Sequence, residues 1–257
     1  MTKKIDGIRF AGALTEYWAE SSRPLVSLVF IAPMLVAYEA SLLLLGPHSF
    51  RNGADIWLRQ FLDFLGLQQY FLLPCLTCGI LLAWHHVKGE RWQFGWIVLY
   101  GMFVESVVFG TGLLLLGHWQ SALAVSQSNE WVLSISDESV AGTKLLAYLG
   151  AGIYEELLFR LMLLPLIAAS LRIAGVSRAA SLGAAVITGS LLFALAHYRF
   201  DLAIGTFHFA TAAGDPFSWI TFTFRFLAGA IFSLLFVYRG FGVAAGAHAL
   251  YDILLAA

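Results

Sequence analysis

Ala141 to Ile167 reads AGTKLLAYLGAGIYEELLFRLMLLPLI, and apart from Lys144, Glu155, Glu156 and Arg160 it contains no charged residue. A transmembrane helix needs about 20 mostly apolar residues, and this run exceeds that length. Two adjacent carboxylates and a guanidinium inside it are costly, roughly 2.5 kcal/mol or more for each ionisable group at the bilayer centre, so they read first as a functional site. Six further windows are comparably apolar: Leu25 to Leu45, Tyr70 to Trp84, Phe94 to Gly117, Ala179 to His197, Phe217 to Tyr238 and Phe241 to Ala257. None alternates with period two, so helices must satisfy the backbone inside lipid. The expected fold is all-α, a polytopic bundle of about seven spans with six to eight as the range.

Composition agrees. The 257 residues are 60% hydrophobic and 12% charged, where a soluble domain is roughly half apolar and about a quarter charged. A soluble globule and a disordered chain are both excluded. The formal net charge of -1 leaves no basic excess with which to neutralise phosphates, which excludes nucleic acid as the expected partner. The partner that composition does imply is the lipid bilayer.

Between the spans, Met1 to Arg23 is polar, lacks the layout of a cleaved signal peptide, and is expected to be retained. Asp55 to Gly66 sets Ile56, Trp57, Phe61, Phe64 and Leu65 against Arg59 and Asp63 at helical spacing, which suits either a helix lying in the interface or a plain loop. Ser121 to Ser139 is the most water-compatible stretch. Lys3, Lys4, Arg9, Arg23, Lys88, Arg91, Arg172, Arg178 and Arg239 fall on one side of a seven-span arrangement, against Arg51, Arg59, Lys144 and Arg199 on the other. That bias predicts a cytoplasmic N-terminus and an external C-terminus. Cys75 and Cys78 form a C-x-x-C without a second ligand pair, and small packing residues are the simpler reading.

At about 100° per residue, Glu156 and Arg160 stand one turn apart with the acid first, the favourable order for an ion pair. Glu155 points elsewhere and is left free to face a cavity as a general base; the bland alternative is that all three residues only staple helices. Phe193 and His197 end the fifth window, and His248 and Asp252 share a face of the seventh, where a carboxylate one turn from an imidazole can fix its tautomer. One free Glu, two His and one Asp on three apolar helices are the parts for activating water. Glu39 and Glu105 have no charged neighbour at helical spacing, so protonation or a wet cavity is expected at each. Arg225 is expected to snorkel or to pair with one of them, and His208 to pack or lie at the interface.

The sequence has no H-E-x-x-H and no G-x-S-x-G, so the zincin and serine-nucleophile arrangements are absent. Glu155-Glu156-x-x-x-Arg160, Phe193-x-x-x-His197 and His248-x-x-x-Asp252, in that order on separate spans, resemble the CAAX protease and bacteriocin-processing family, the type II CAAX prenyl endopeptidase group. Phe224-Arg225-Phe226-Leu227-Ala228-Gly229 resembles the family's lead-in to the last motif. The resemblance covers Ala141 to Leu255 and divides the membrane domain into 1-140, without motif, and a catalytic core at 141-257. It implies a glutamate-dependent intramembrane endopeptidase; a bacterial cytoplasmic membrane is the expected location, and the cation bias, against the cytosol-facing eukaryotic relatives, turns the expected substrates to membrane-associated or exported proteins or peptides. Glu155 and His197 would activate water; His248 would stabilise the oxyanion with Asp252 orienting it, where the eukaryotic branch commonly has Asn; Glu156, Arg160 and Phe193 would support them. No cofactor is expected, zinc on the two imidazoles being the alternative. A non-enzymatic scaffold, immunity protein or transporter-like bundle is the competing class, although no repeated halves are visible. Helix rise sets one difficulty: measured from the nearest cations, the three motifs lie at depths that disagree by about 10 Å.

Overall fold

The computed structural model describes residues 14–46, 51–67, 69–125, 138–199, 201–204, 207–210 and 214–256. Helix α1 covers residues 14–21. It is followed by α2 (Pro24–Leu45), α3 (Gly53–Phe64), α4 (Leu72–Lys88), α5 (Trp96–Val125), α6 (Glu138–Glu156), a π-helical segment (Leu157–Leu163), α7 (Leu164–Ile173), α8 (Arg178–Leu195), strands β1 (Asp201–Ile204) and β2 (Phe207–Ala210), α9 (Trp219–Arg239) and α10 (Phe241–Ala256). Four of the described helices are long and apolar enough to cross a bilayer, within Pro24–Leu45, Trp96–Ala122, Arg178–Leu195 and Trp219–Arg239; α4 and α10 are shorter apolar helices. Large apolar side chains such as Leu44, Val87, Ile97 and Ile173 point outward. That is the inside-out dress of a protein whose solvent is lipid, and the chain is an integral membrane helical bundle.

The bundle is built around α10. Every residue from Phe241 to Ala249 is buried, and α2, α5, α6 and α9 all pack on this helix. Its composition permits that position: Gly242, Ala244, Ala245, Gly246, Ala247 and Ala249 give it a thin waist, and small residues let helix backbones approach closely in lipid. One such close approach is at Gly152 of α6, where a Cβ would stand 2.6 Å from the carbonyl oxygen of Ala245.

The window Ala141 to Ile167 is not one α-helix. Hydrogen bonding widens to the π pattern over Leu157–Leu163 and returns to α in α7, with Pro165 in the first turn of α7. A proline ring clashes with the carbonyl four residues back and offers it no N–H, so the helix widens ahead of Pro165, and such wide turns recur at functional sites. Another departure follows α8. His197 lies in a turn just beyond its last residue, the Asp215 N–H donates to the His197 carbonyl at 2.9 Å, and the Arg199 N–H donates to Asp215 at 3.0 Å. This clasp closes the base of an antiparallel hairpin in which Asp201 pairs with Ala210 and Ile204 with Phe207. Sequence periodicity gave no strand there.

Several lone charges have partners from other helices. Glu105 accepts from Arg239 at 2.7 Å and from the Tyr17 hydroxyl at 2.9 Å, while Arg239 also donates to Ser21 at 2.9 Å. Glu39 accepts from Arg59 and from Tyr154. Each acid thus has a cation for a partner that helical spacing could not reveal, because that cation sits far away in sequence. Arg225 pairs with Asp215 instead of either one. Arg239, one of the cations counted for orientation, is buried and paired with Glu105. Ser121 to Val125 belongs to α5; residues 126–137 of the expected polar stretch lie outside the described residues.

Candidate active site

Glu155 and Glu156 close α6 immediately before the π segment, and they part company as the helical spacing requires. Glu156 is fully buried. Its Oε1 accepts from Arg160 Nη1 at 2.8 Å and faces His248 Nδ1 at 2.7 Å. The Arg160 guanidinium is itself buried, 4.2 Å from the ring centre of Phe193 and 5.4 Å from that of Phe232, and Nη2 donates to the Gly229 carbonyl at 3.1 Å. One arginine thereby joins the π segment, α8 and α9 beneath the site.

Glu155 takes the other face. Its Oε2 stands 3.8 Å from His197 Nε2 and 3.7 Å from His248 Nε2, and this oxygen has no hydrogen-bond partner. His197 Nδ1 lies 2.7 Å from the Phe193 carbonyl. Only a donor can satisfy a carbonyl, so Nδ1 carries a proton and, in the neutral ring, the Nε2 lone pair faces Glu155. The His248 ring is stacked on Phe232 at 4.5 Å and 14°. Its Nδ1 donates to the Glu156 carboxylate, which turns Nε2 toward the space shared by Glu155 and Asp252.

Asp252 Oδ2 is 3.7 Å from His248 Nε2, beyond hydrogen-bond reach. The expectation that Asp252 orients His248 is corrected here, since the orienting contact comes from Glu156. Helix spacing could suggest the first pairing but had no access to the second, which joins residues 92 positions apart. The depth conflict also disappears. Whatever the spacing from the nearest cations suggested, the three motifs meet within 3.8 Å.

A cavity of about 430 Å³ adjoins these groups, lined by His197, His248 and Asp252 together with Leu114, Phe224, Ala228, Phe232, Tyr251 and Leu255. Arg225, His118 and Gln120 are polar members of the same lining. Glu155 is not part of this lining and meets the cavity's two imidazoles at 3.8 and 3.7 Å. Phe232 and Tyr251 are contributions the sequence reading missed, because an aromatic residue in an aromatic-rich helix carries no signal of its own. His208 belongs to β2, and the expectation for its side chain lies outside what the structure describes. Among the described residues, no group of three His, Cys, Asp or Glu side chains could hold a metal ion.

Residues 138–254 match the family model described as type II CAAX prenyl endopeptidase Rce1-like. The matched segment contains Glu155, Glu156, Arg160, His197, His248 and Asp252, so the family resemblance drawn from the motifs holds over that segment. In general terms it implies a protease that works on protein or peptide substrates at the membrane. No curated protein and no solved structure matches the chain significantly.

Proposed function

We propose that this chain is an intramembrane endopeptidase that hydrolyses peptide bonds of membrane-associated or exported proteins with water activated by Glu155 and His197. The observation that carries this reading is the unpartnered Oε2 of Glu155, facing two imidazole Nε2 atoms beside an apolar cavity.

A water within hydrogen-bond reach of Glu155 and His197 Nε2 loses its proton to the carboxylate as its oxygen bonds to the scissile carbonyl carbon. The carbonyl π electrons move to oxygen. His248 faces that oxygen with Nε2, and when protonated on both nitrogens it donates a hydrogen bond to the charge that develops. Glu156 and Arg160 hold the ring in place, and stacking on Phe232 fixes its plane. The proton on Glu155 then passes to the departing amine nitrogen as the C–N bond breaks, giving a carboxylic acid and an amine and restoring the carboxylate. Asp252 acts on His248 through charge across 3.7 Å. The apolar lining admits apolar side chains near the cleaved bond and excludes bulk water.

The test is the purified protein reconstituted in lipid with a library of membrane-anchored peptides, cleavage being read by mass spectrometry. Cleavage at a defined set of apolar sites, lost in Glu155→Gln, is the expected outcome. Wild-type cleavage by Glu155→Gln would overturn the assignment.

A further inference from the structure

Tyr154 precedes the proposed base and reaches away from it into a second buried polar cluster. Its hydroxyl donates to Glu39 of α2, and its ring meets Tyr38 edge-on at 5.7 Å. Arg59 of α3 holds the same Glu39 carboxylate at 3.2 and 3.3 Å, donates Nε–H to Asp55 at 2.6 Å, and donates Nη1–H to the Tyr70 carbonyl at 2.6 Å. Asp55 is completed by the Tyr38 hydroxyl and by Arg51, each at 3.1 Å. Burial works against the charge of Arg59, and the carboxylates of Asp55 and Glu39 outweigh it, raising its pKa above the ordinary arginine value.

Two acids matched by two arginines need not stabilise a fold, since packed apolar residues often do as well in the same volume. What such a cluster adds is a fixed geometry. Tyr154 and Glu155 project about 100° apart from consecutive positions, so any rotation of α6 that strains one displaces the other. The helix is gripped on both sides here: Gly150 lies against the Tyr38 ring, and Gly152 against the backbone of α10. A catalytic group tolerates only about 0.5 Å and 10–20° of misplacement before efficiency falls.

We infer that Tyr154, anchored through Glu39 to Arg59, is a positioning residue that sets the rotation of α6 and holds Glu155 against the imidazoles of His197 and His248. The inference rests on the peptidase reading, and it makes α2 and α3, which precede the family-matched segment, part of the hydrolytic machinery.

The test uses the reconstituted full chain with two readouts: steady-state turnover of a cleaved library peptide, and labelling of Glu155 by an apolar carbodiimide, read by peptide mass. For Tyr154→Phe the expected result is kcat lower by about tenfold with KM within about twofold, and Glu155 labelled about threefold faster once it leaves the imidazoles. Glu39→Leu should reproduce both changes. Glu39→Gln, which still accepts the phenolic hydrogen, should recover most of each. Wild-type kcat and labelling in Tyr154→Phe would overturn the inference, as would a fall in kcat that merely tracks the folded fraction while labelling per folded molecule stays constant. If the wild type cleaves no peptide, the peptidase reading fails, and the labelling alone decides whether Tyr154 positions Glu155.

Discussion

At the scale of single residues, the two adjacent glutamates should fail in different ways. Glu155→Gln removes a carboxylate whose Oε2 makes no hydrogen bond, so we expect an inserted protein with an unchanged melting temperature and no turnover. Glu156→Gln leaves Arg160 and His248 without the anion that joins them, and breaking a buried pair from one side costs about 3–5 kcal/mol, so melting and turnover should both fall. Detergent melting alongside peptide cleavage separates the cases. A second expectation concerns metal: activity should not require zinc, and elemental analysis of active protein, followed by chelation and metal return, checks it. Stoichiometric zinc whose removal abolishes activity and whose return restores it would refute this. Much of this scale was legible in the sequence, because Glu156 and Arg160 lie one helical turn apart and ionisable residues in apolar windows announce themselves. The Glu156–His248 contact and the arginine partners of Glu39 and Glu105 were not, since each joins residues from distant parts of the chain.

Among the elements, α10 and α6 depend on a surface with no side chain between them. A Cβ at Gly152 would stand 2.6 Å from the Ala245 carbonyl oxygen and 2.7 Å from the Ala249 Cβ, both close to rigid backbone. Gly152→Ala must therefore push α10 outward, and overpacking of this kind costs about 1–3 kcal/mol. We expect lower thermal stability together with a larger loss of turnover, because His248 rides on the displaced helix; unchanged kcat in Gly152→Ala would show that the contact is not tight. Hydropathy located α2, α8 and α9 within a few residues of their ends, since long apolar runs are its strongest signal, and it found the start of α5 but stopped at Gly117, short of that helix's end at Val125. It placed no boundary at the π segment, whose only trace is Pro165, and it gave no hint of the hairpin after His197, whose pairing depends on a loop closure.

For the whole molecule, orientation in the membrane remains the property that decides which proteins can reach the site. We propose the arrangement the cation bias favours, with the N-terminus cytoplasmic and the end of α5 outside. Of the nine cations counted inside, Arg23, Lys88 and Arg239 are ion-paired with Glu20, Glu90 and Glu105, while outside Arg51 and Arg59 are paired with Asp55 and Glu39, so the bias survives pairing on both faces. In a variant lacking Cys75 and Cys78, Ala122→Cys should react with an impermeant maleimide in intact cells, and Gln93→Cys only after permeabilisation. The reverse pattern would turn the cavity toward the cytosol. The central placement of α10 also bears on biosynthesis. The helices α2, α5, α6 and α9 that pack on α10 all precede it in the chain, so during vectorial synthesis they are made before the axle they surround. His248 arrives only with that axle, which leaves the proposed hydrolase inert toward its own earlier segments and toward its neighbours at the insertion site until α10 is in place.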